Sequence, residues 1–464
     1  MRADAPVVEA PPGSLGAAVS RRSPLVTAAL DAEHAWARAR AWAQRALPDA
    51  VIDAVDVRSV LYQPDGGCTL RYRVRVAPRG REHVLLVEVP RSGDIVARPF
   101  PADPGLPTLP RALDPVLMRA VLGRVVPGTG GDRGIGRCAV DVVHHPRRGR
   151  CVLRYRLSPG AGGPGELRHP VVFGKVYRDD TASAAASALR VLRAGLPLLP
   201  DRGRIGVPEP LAVVPSLRLG LVEAIAGRPL LPDLVKAACD LGAPDPELPS
   251  AIRAAAQVAA AVHACGPGAS RFPVRDLAGE QAATERDLGL LEPVWPEAAA
   301  RLRRGVAHAL AAEAIDPPAS GWPVAPGLAH GDFTPGQILL DACGGAALVD
   351  VDTLCLAEPA LDVGRFLAYL HVTGIRRSPT AWPLLAGLTA TFLETYLGAG
   401  TPPGGASVPA PGARRLFLER TAAYRALSLA RLGASACWQL KDDRLGAVVD
   451  VLDAGNDWMG SAAG

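Results

Sequence analysis

The sequence predicts an α+β chain, β-rich in its N-terminal half and mainly helical in its C-terminal half. Three observations carry this. Alternating apolar and polar runs, bounded by Gly and Pro turns, recur up to about residue 226. From about residue 232 to residue 316, Ala and Leu recur at three- and four-residue spacing, the period of a buried helix face. Within the helical half lies one exception, residues 328–362, where two short apolar runs flank a Gly-Gly turn and acids stand at their ends.

Taken in order, residues 1–22 are rich in Pro, Gly, Ala and Ser and are expected to be disordered. A helix is predicted over 24–47. Residues 55–76 read as two strands around Pro64-Asp65-Gly66-Gly67, continued by strands at 85–89 and 95–98. A Pro-rich segment, 99–110, closes this unit, so that 23–115 forms an α/β cap-like unit. A second passage echoes the first: C-V-L-R-Y-R-L at Cys68's counterpart, Cys151, follows C-T-L-R-Y-R-V. Either the sheet unit is duplicated, or a small cap precedes the next lobe, or strand chemistry has converged.

Residues 170–177 form a strand carrying Lys175, one of only three lysines in the chain. The turn at 145–150 presents Arg147, Arg148 and Arg150, either toward a ligand or to solvent. An Ala-rich helix without any Glu follows at 181–196, then strands at 207–214 and 217–226 that end in Gly227. These place a second unit at 116–226 and a helical unit at 227–464. His263 sits on a buried or boundary helix face and is read as packed. Arg420, Tyr424 and Trp438 fit either a ligand-facing surface or the core.

Composition narrows the function classes. A chain of 464 residues, 48% apolar and 21% charged, has the makings of a globular protein with more than one unit. The net charge of +5 is dispersed without a basic run, so neither nucleic acid nor another polyanion is expected as a partner. Eight cysteines show no C-x-x-C pair and no Cys/His metal spacing, which suits reduced thiols in a cytoplasmic protein. The N-terminus lacks the apolar core of a signal peptide, and no 18-residue apolar run suggests a membrane span.

The chemistry concentrates in 328–362, L-A-H-G-D-F-T-P-G-Q-I-L-L-D-A-C-G-G-A-A-L-V-D-V-D-T-L-C-L-A-E-P-A-L-D. A hairpin here would bring Asp332, Gln337 and Asp350 to one end. One carboxylate to orient a hydroxyl, and a carboxylate plus an amide to hold Mg2+, are what phosphoryl transfer asks of a protein. A surface hairpin with incidental acids is the plainer alternative.

This stretch resembles the aminoglycoside phosphotransferase and choline kinase-like family, whose signature is H-G-D-x4-N followed by an apolar-apolar-Asp. Gln337 stands where most members have Asn, and the maltokinase-like branch is similar in carrying Gln there. The resemblance implies a bilobal protein kinase-like fold, with a β-rich N-terminal lobe, the extra cap-like unit and a mainly helical C-terminal lobe. It implies Asp332 as catalytic base, with His330 bracing the loop and Asp362 anchoring it. Gln337 and Asp350 would hold Mg2+, with Asp352 as a second carboxylate. ATP would meet Lys175 at its inner phosphates, Arg148 on the covering turn, and the backbone from Glu223 to Ala226 at its adenine edge, Glu223 being structural rather than a direct ligand. The helix after Lys175 lacks the Glu that protein kinases pair with that lysine.

The implied activity is transfer of the γ-phosphate of ATP to a hydroxyl of a sugar, an aminoglycoside-like compound or another hydroxylated metabolite. Few acids and few aromatics face the expected acceptor side, which favours a neutral acceptor over a polycation or a choline-like amine. A Ser/Thr kinase of a peptide precursor, a nucleotide-binding pseudokinase and a purely structural module are the other readings.

Overall fold

The computed structural model describes residues 14–77, 81–129, 134–145, 149–160, 166–196, 198–199, 203–242, 245–265, 272–311, 326–398 and 411–455. The chain begins with three short helices, α1 (Leu15–Arg22), α2 (Pro24–Leu30) and α3 (Ala32–Ala46). The side chains of Ser14, Ser23 and Asp31 each accept a backbone N–H at the start of one of them. Residues 15–22, expected to be disordered, are therefore helical. Leu15 and Val19, four apart, are buried, and Leu15 N–H donates to Asp442 Oδ1 at 2.9 Å. Residues 1–13 lie outside the described residues.

An antiparallel sheet follows, β1 (Val51–Tyr62), β2 (Cys68–Ala77), β3 (Arg81–Val89) and β4 (Val96–Pro99), paired in that order. Two helices, α4 (Leu109–Ala112) and α5 (Pro115–Val125), lead into β5 (Ile135–His144), β6 (Arg150–Pro159) and β7 (Val171–Tyr177). Beyond α6 (Thr181–Gly195) come the short pair β8 (Leu198–Leu199) and β9 (Gly203–Arg204), then β10 (Pro210–Val214) and β11 (Leu219–Glu223). The second sheet has the order β10-β11-β7-β6-β5.

The sequence echo proves to be a repeated structural unit. In the first copy Cys68 pairs with Val89 and Thr69 with Glu88. In the second, Cys151 pairs with Val176 and Val152 with Lys175. Tyr72 and Tyr155 are both fully buried, and each donates its hydroxyl to the carbonyl of an alanine 43 residues earlier, Ala29 and Ala112. Those alanines open matching Ala-Leu-Asp triplets whose Asp31 and Asp114 cap α3 and α5. Convergent strand chemistry would not reproduce partners so far from the strands. A buried phenol needs an acceptor, and both copies solve that need identically. Glu88 holds the position of Lys175 in the first copy and pairs with Arg98 instead.

Each copy serves a different core. Tyr62 of the first sheet packs on Trp295 and Trp438 of the helical half, with ring centroids 5.7 and 6.3 Å apart. Leu106, Leu109 and Ala112, assigned by sequence to the first unit, pack instead with Met118, Leu153 and Tyr155 beneath the second sheet.

The C-terminal half comprises α7 (Leu231–Leu241), α8 (Leu248–Ala264), α9 (Leu277–Leu291), α10 (Pro296–Ala311), α11 (Ala360–Arg377), α12 (Trp382–Gly398), α13 (Pro411–Trp438) and α14 (Asp442–Asp453). Between them lie β12 (Val274–Arg275), β13 (Gly327–Ala329), β14 (Ile338–Leu340), β15 (Ala346–Leu348) and β16 (Cys355–Ala357). Strands β14 and β15 form a hairpin, and Asp341 Oδ1 accepts from the amides of Cys343 and Gly345 at its turn. Backbone bonds tie the hairpin to both flanks: Leu340 exchanges N–H and C=O with Arg228, and Leu348 N–H donates to Gly206 O. The 328–362 stretch is thus fixed where the second sheet meets the helices.

This is an α+β fold, β-rich in its N-terminal region and mainly helical in its C-terminal part. Among the described residues no helix is long and apolar enough to cross a membrane. All eight cysteines are free, and only Cys343 is exposed.

Candidate active site

The loop between β13 and β14 is held by its backbone. Gly331 adopts φ +77°, and a Cβ there would lie 2.3 Å from Thr353 O, so only glycine passes. The Gly331 carbonyl accepts from Arg275 Nη1 at 2.7 Å and Arg365 Nη1 at 2.8 Å. The fully buried Asp362, in the first turn of α11, accepts the amides of His330 at 2.6 Å and Gly331 at 2.9 Å. His263 Nε2 lies 3.1 Å from the same carboxylate, and its Nδ1 is 2.8 Å from the Tyr396 hydroxyl. Burial alone would raise the Asp362 pKa, but the bond and charge of His263 and the charge and amide of His330 hold it below the ordinary carboxylate value. His330 is itself buried, with Nε2 3.1 Å from Val349 O.

Asp332 lies on this braced loop, and its side chain remains 32% exposed. Its Oδ1 accepts from Arg365 Nη1 at 2.9 Å and its Oδ2 from Gln337 Nε2 at 3.2 Å. With the amide nitrogen so committed, Gln337 Oε1 is left buried and without a partner. A buried acceptor without a donor is costly unless a cation completes it.

Asp350, at the end of the hairpin, is one of three described non-glycine residues with positive φ, at φ 66° and ψ 46°. Such strain is held at functional positions when the surrounding structure over-determines it. Lys175 Nζ bonds Asp350 and lies 2.5 Å from Asp352 Oδ2. Arg150 Nη2 reaches Asp350 Oδ2 at 3.1 Å, and Tyr177 OH donates to Asp352 Oδ1 at 3.1 Å. Burial works to raise the Asp350 pKa, yet the Lys175 and Arg150 charges hold it below the usual range. Burial first, and then the Asp352 carboxylate, push the Tyr177 phenol up. Lys175 therefore finds its counter-charges on the hairpin, where protein kinases would use a helix glutamate. The face of α6 instead presents Ala182, Ala185, Ala186 and Leu189 to a cavity of about 600 Å³.

That cavity runs under the second sheet, and strand period explains its wall. Arg150 pairs with Tyr177, Val152 with Lys175, and Gly220 with Lys175 from the other side, so all share one face. Phe173, Val222 and Ile225 contribute apolar lining, and Gln337, Asp350 and Asp352 contribute polar lining.

Of the residues singled out by sequence, Lys175, Gln337, Asp350 and Asp352 all line this cavity, Lys175 pairing with both aspartates, and Asp332 is bonded to Gln337. Glu223 lines the cavity, but its Oε1 is engaged by Arg193 Nη1 at 3.2 Å and Glu209 N at 2.7 Å. Ala226 is exposed and not among the lining residues, which include its neighbours Ile225 and Gly227. Arg148 lies outside the described residues. Arg150, one of the turn arginines, faces the cavity rather than solvent alone; Tyr177 and Arg365 went unnoticed in the sequence, the first recoverable by counting two residues on from Lys175 and the second by no local signal. Arg420 does not face a ligand. It is buried and paired with the buried Glu358, and Tyr424 is buried beside it.

The donor set fits Mg2+: one amide oxygen and two carboxylates, leaving room for phosphate and water. No described cluster of three or more His, Cys, Asp or Glu side chains offers an all-protein metal cage.

A family model described as the phosphotransferase enzyme family matches residues 172–404. No curated protein matches the chain. Among solved structures, a choline/ethanolamine kinase family protein from Mesorhizobium loti is 18% identical, covering 77% of this chain and 98% of its own, with TM-score 0.44. An ethanolamine kinase from Plasmodium vivax is 11% identical over 73% of this chain and 87% of its own, with TM-score 0.45. An aminoglycoside phosphotransferase from Streptomyces rimosus is 20% identical over 64% and 94%, with TM-score 0.34.

Proposed function

The chain belongs to the phosphotransferase enzyme family, and from that premise we propose that it transfers the γ-phosphoryl group of ATP to a hydroxyl of a small molecule. The observation that carries this reading is that the Lys175–Asp350 pair and Gln337, whose oxygen is orphaned, line one cavity, with Asp332 bonded to Gln337.

The adenine fits the apolar part of the cavity, between the sheet and the alanine face of α6. Lys175 and Arg150 exchange their aspartate partners for phosphate oxygens. Gln337 Oε1, Asp350 and Asp352 would hold Mg2+, which when bound supplies charge neutralisation at the phosphoryl oxygens. Asp332 orients the acceptor hydroxyl and takes its proton as the oxygen bonds to the γ-phosphorus and the bond to the ADP oxygen breaks. The transition state is loose, so positioning provides most of the rate. The bracing of His330 and Gly331 by Asp362 serves that positioning.

Asp332→Asn tests the assignment. Turnover should fall by on the order of 10^2–10^4 while nucleotide affinity is kept. A variant retaining more than about a tenth of the activity would remove Asp332 from that role.

A further inference from the structure

We propose that the first copy of the repeat is a brace for the nucleotide site. Arg71 and Asp103 are its positioning residues: they hold the end of β5 and, through the β5–β6 hairpin, align Arg150 for the nucleotide phosphates. The proposal rests on the reading of the cavity as a nucleotide site.

The repeat explains why one arginine leaves its own sheet. Arg71 and Arg154 hold the same place in C-T-L-R-Y-R-V and C-V-L-R-Y-R-L. Each lies on the face opposite its buried tyrosine neighbour, because successive strand residues alternate. Arg154 stands opposite Asp141 on β5 and bonds it at 3.1 Å, within the second sheet. Arg71 stands opposite Ser59 on β1, which offers no charge. Its guanidinium crosses to the second copy instead, and Nη1 donates to the carbonyl of His145, the residue after β5. Leu86, opposite Arg71 on that face, is only 6% exposed, so the face is covered there.

His145 is held a second time. Its Nε2 lies 2.8 Å from Asp103 Oδ2, and its ring packs on Phe100 with centroids 5.1 Å apart. Both partners belong to the segment that joins β4 to α4. Asp103 Oδ1 accepts from Gly105 N–H at 2.8 Å, and Phe100 N–H donates to Val84 O on β3 at 2.8 Å. The imidazole is therefore fixed to the first sheet and its connection, and it is nearly buried.

What is held in this way belongs to the cavity. Val143 and His144 line it from β5, and Arg150 lines it from β6. His144 opposite Val152 is the last described pair of these two strands, and Val152 in turn stands opposite Lys175. Arg150 Nη2 reaches Asp350 at 3.1 Å, and its Nη1 lies 3.7 Å from Asp352. Beyond His144, the bonds that continue to hold the β5 side come from the first copy. A strand end fixed before the ligand arrives spares the site the ordering that alignment with a phosphate would otherwise require. The first copy has no such cation of its own at the matching position. Glu88, paired with Arg98, stands there where the second copy has Lys175.

The test compares Mg·ADP with adenosine, which shares the base and lacks the phosphates, by titration calorimetry on the full chain. Arg71→Gln and Asp103→Ala should each weaken Mg·ADP by about 3- to 30-fold and leave adenosine affinity unchanged. Arg71→Lys, which keeps a donor for the His145 carbonyl, should recover part of the loss. Arg73→Gln is the control: Arg73 lies two residues along the same face, pairs with Asp56, and its loss should alter neither ligand. Melting temperatures without ligand establish that each variant is folded, and Asp103→Ala with Arg71→Lys decide the matter if Arg71→Gln is not. Folded variants that bind Mg·ADP as the parent does would overturn the brace and leave the nucleotide site standing. So would an equal loss of adenosine, or an Arg73→Gln variant as impaired as Arg71→Gln. A parent that binds no Mg·ADP would overturn both readings together.

Discussion

Asp362→Asn removes the charge from a carboxylate that serves three donors inside the fold. Its Oδ2 accepts from His330 N–H and faces His263 Nε2, and its Oδ1 accepts from Gly331 N–H. An asparagine offers one oxygen, so its NH2 group must confront at least one of these N–H groups. The lost charge-assisted bond is worth about 1.5–3 kcal/mol and the stranded donor about 1–3 kcal/mol. The sum, roughly 3–5 kcal/mol, matches the cost of breaking a buried charged pair, against a total stability of about 5–15 kcal/mol. Chemical denaturation at neutral pH, with turnover assayed in parallel, measures both the stability and the loop's function. The sign with pH is also fixed. The folded-state pKa lies below the ordinary value of 3.8, so the stabilisation is complete above the unfolded value and is lost as pH falls through the folded one. The parent should therefore lose stability more steeply than the variant in that acid window. A loss under about 1 kcal/mol, or parallel acid limbs, would refute the argument that this carboxylate is ionised and anchors the loop.

Two further outcomes follow from the same geometry. Gln337→Leu deletes the orphaned oxygen, and the Mg2+ concentration at which ADP raises the melting temperature should increase by about tenfold or more; an unchanged titration would exclude the amide as a ligand. Arg420→Ala leaves Glu358 buried without its partner and should cost about 3–5 kcal/mol, whereas Arg420→Met with Glu358→Leu should recover much of it. Acceptor KM should not respond to either change at temperatures where the variants are folded, and a selective rise in KM would return Arg420 to the acceptor side.

The short-range features were legible without coordinates, because they depend on turn chemistry and strand period. The Asp341 to Gly345 turn, the apolar runs on either side and the spacing of Asp332, Gln337 and Asp350 specify a hairpin with its functional groups at one end. The period of two along the Lys175 strand likewise contained Tyr177, although only the lysine was singled out there. Residues 15–22 were misjudged because composition outweighed a Ser cap and two apolar residues four apart, whose value appears only when the helical half buries them. Tertiary structure alone decided the rest. His263, Tyr396 and Asp362 meet across separations of 133 and 99 residues, Arg420 finds Glu358 62 residues away, and Arg275 and Arg365 reach the Gly331 carbonyl from 56 and 34 residues away. Periodicity states which face of an element is apolar, but it carries no information on which two faces pack together. Packing therefore determines whether a buried charge is paired, shared or left for a ligand.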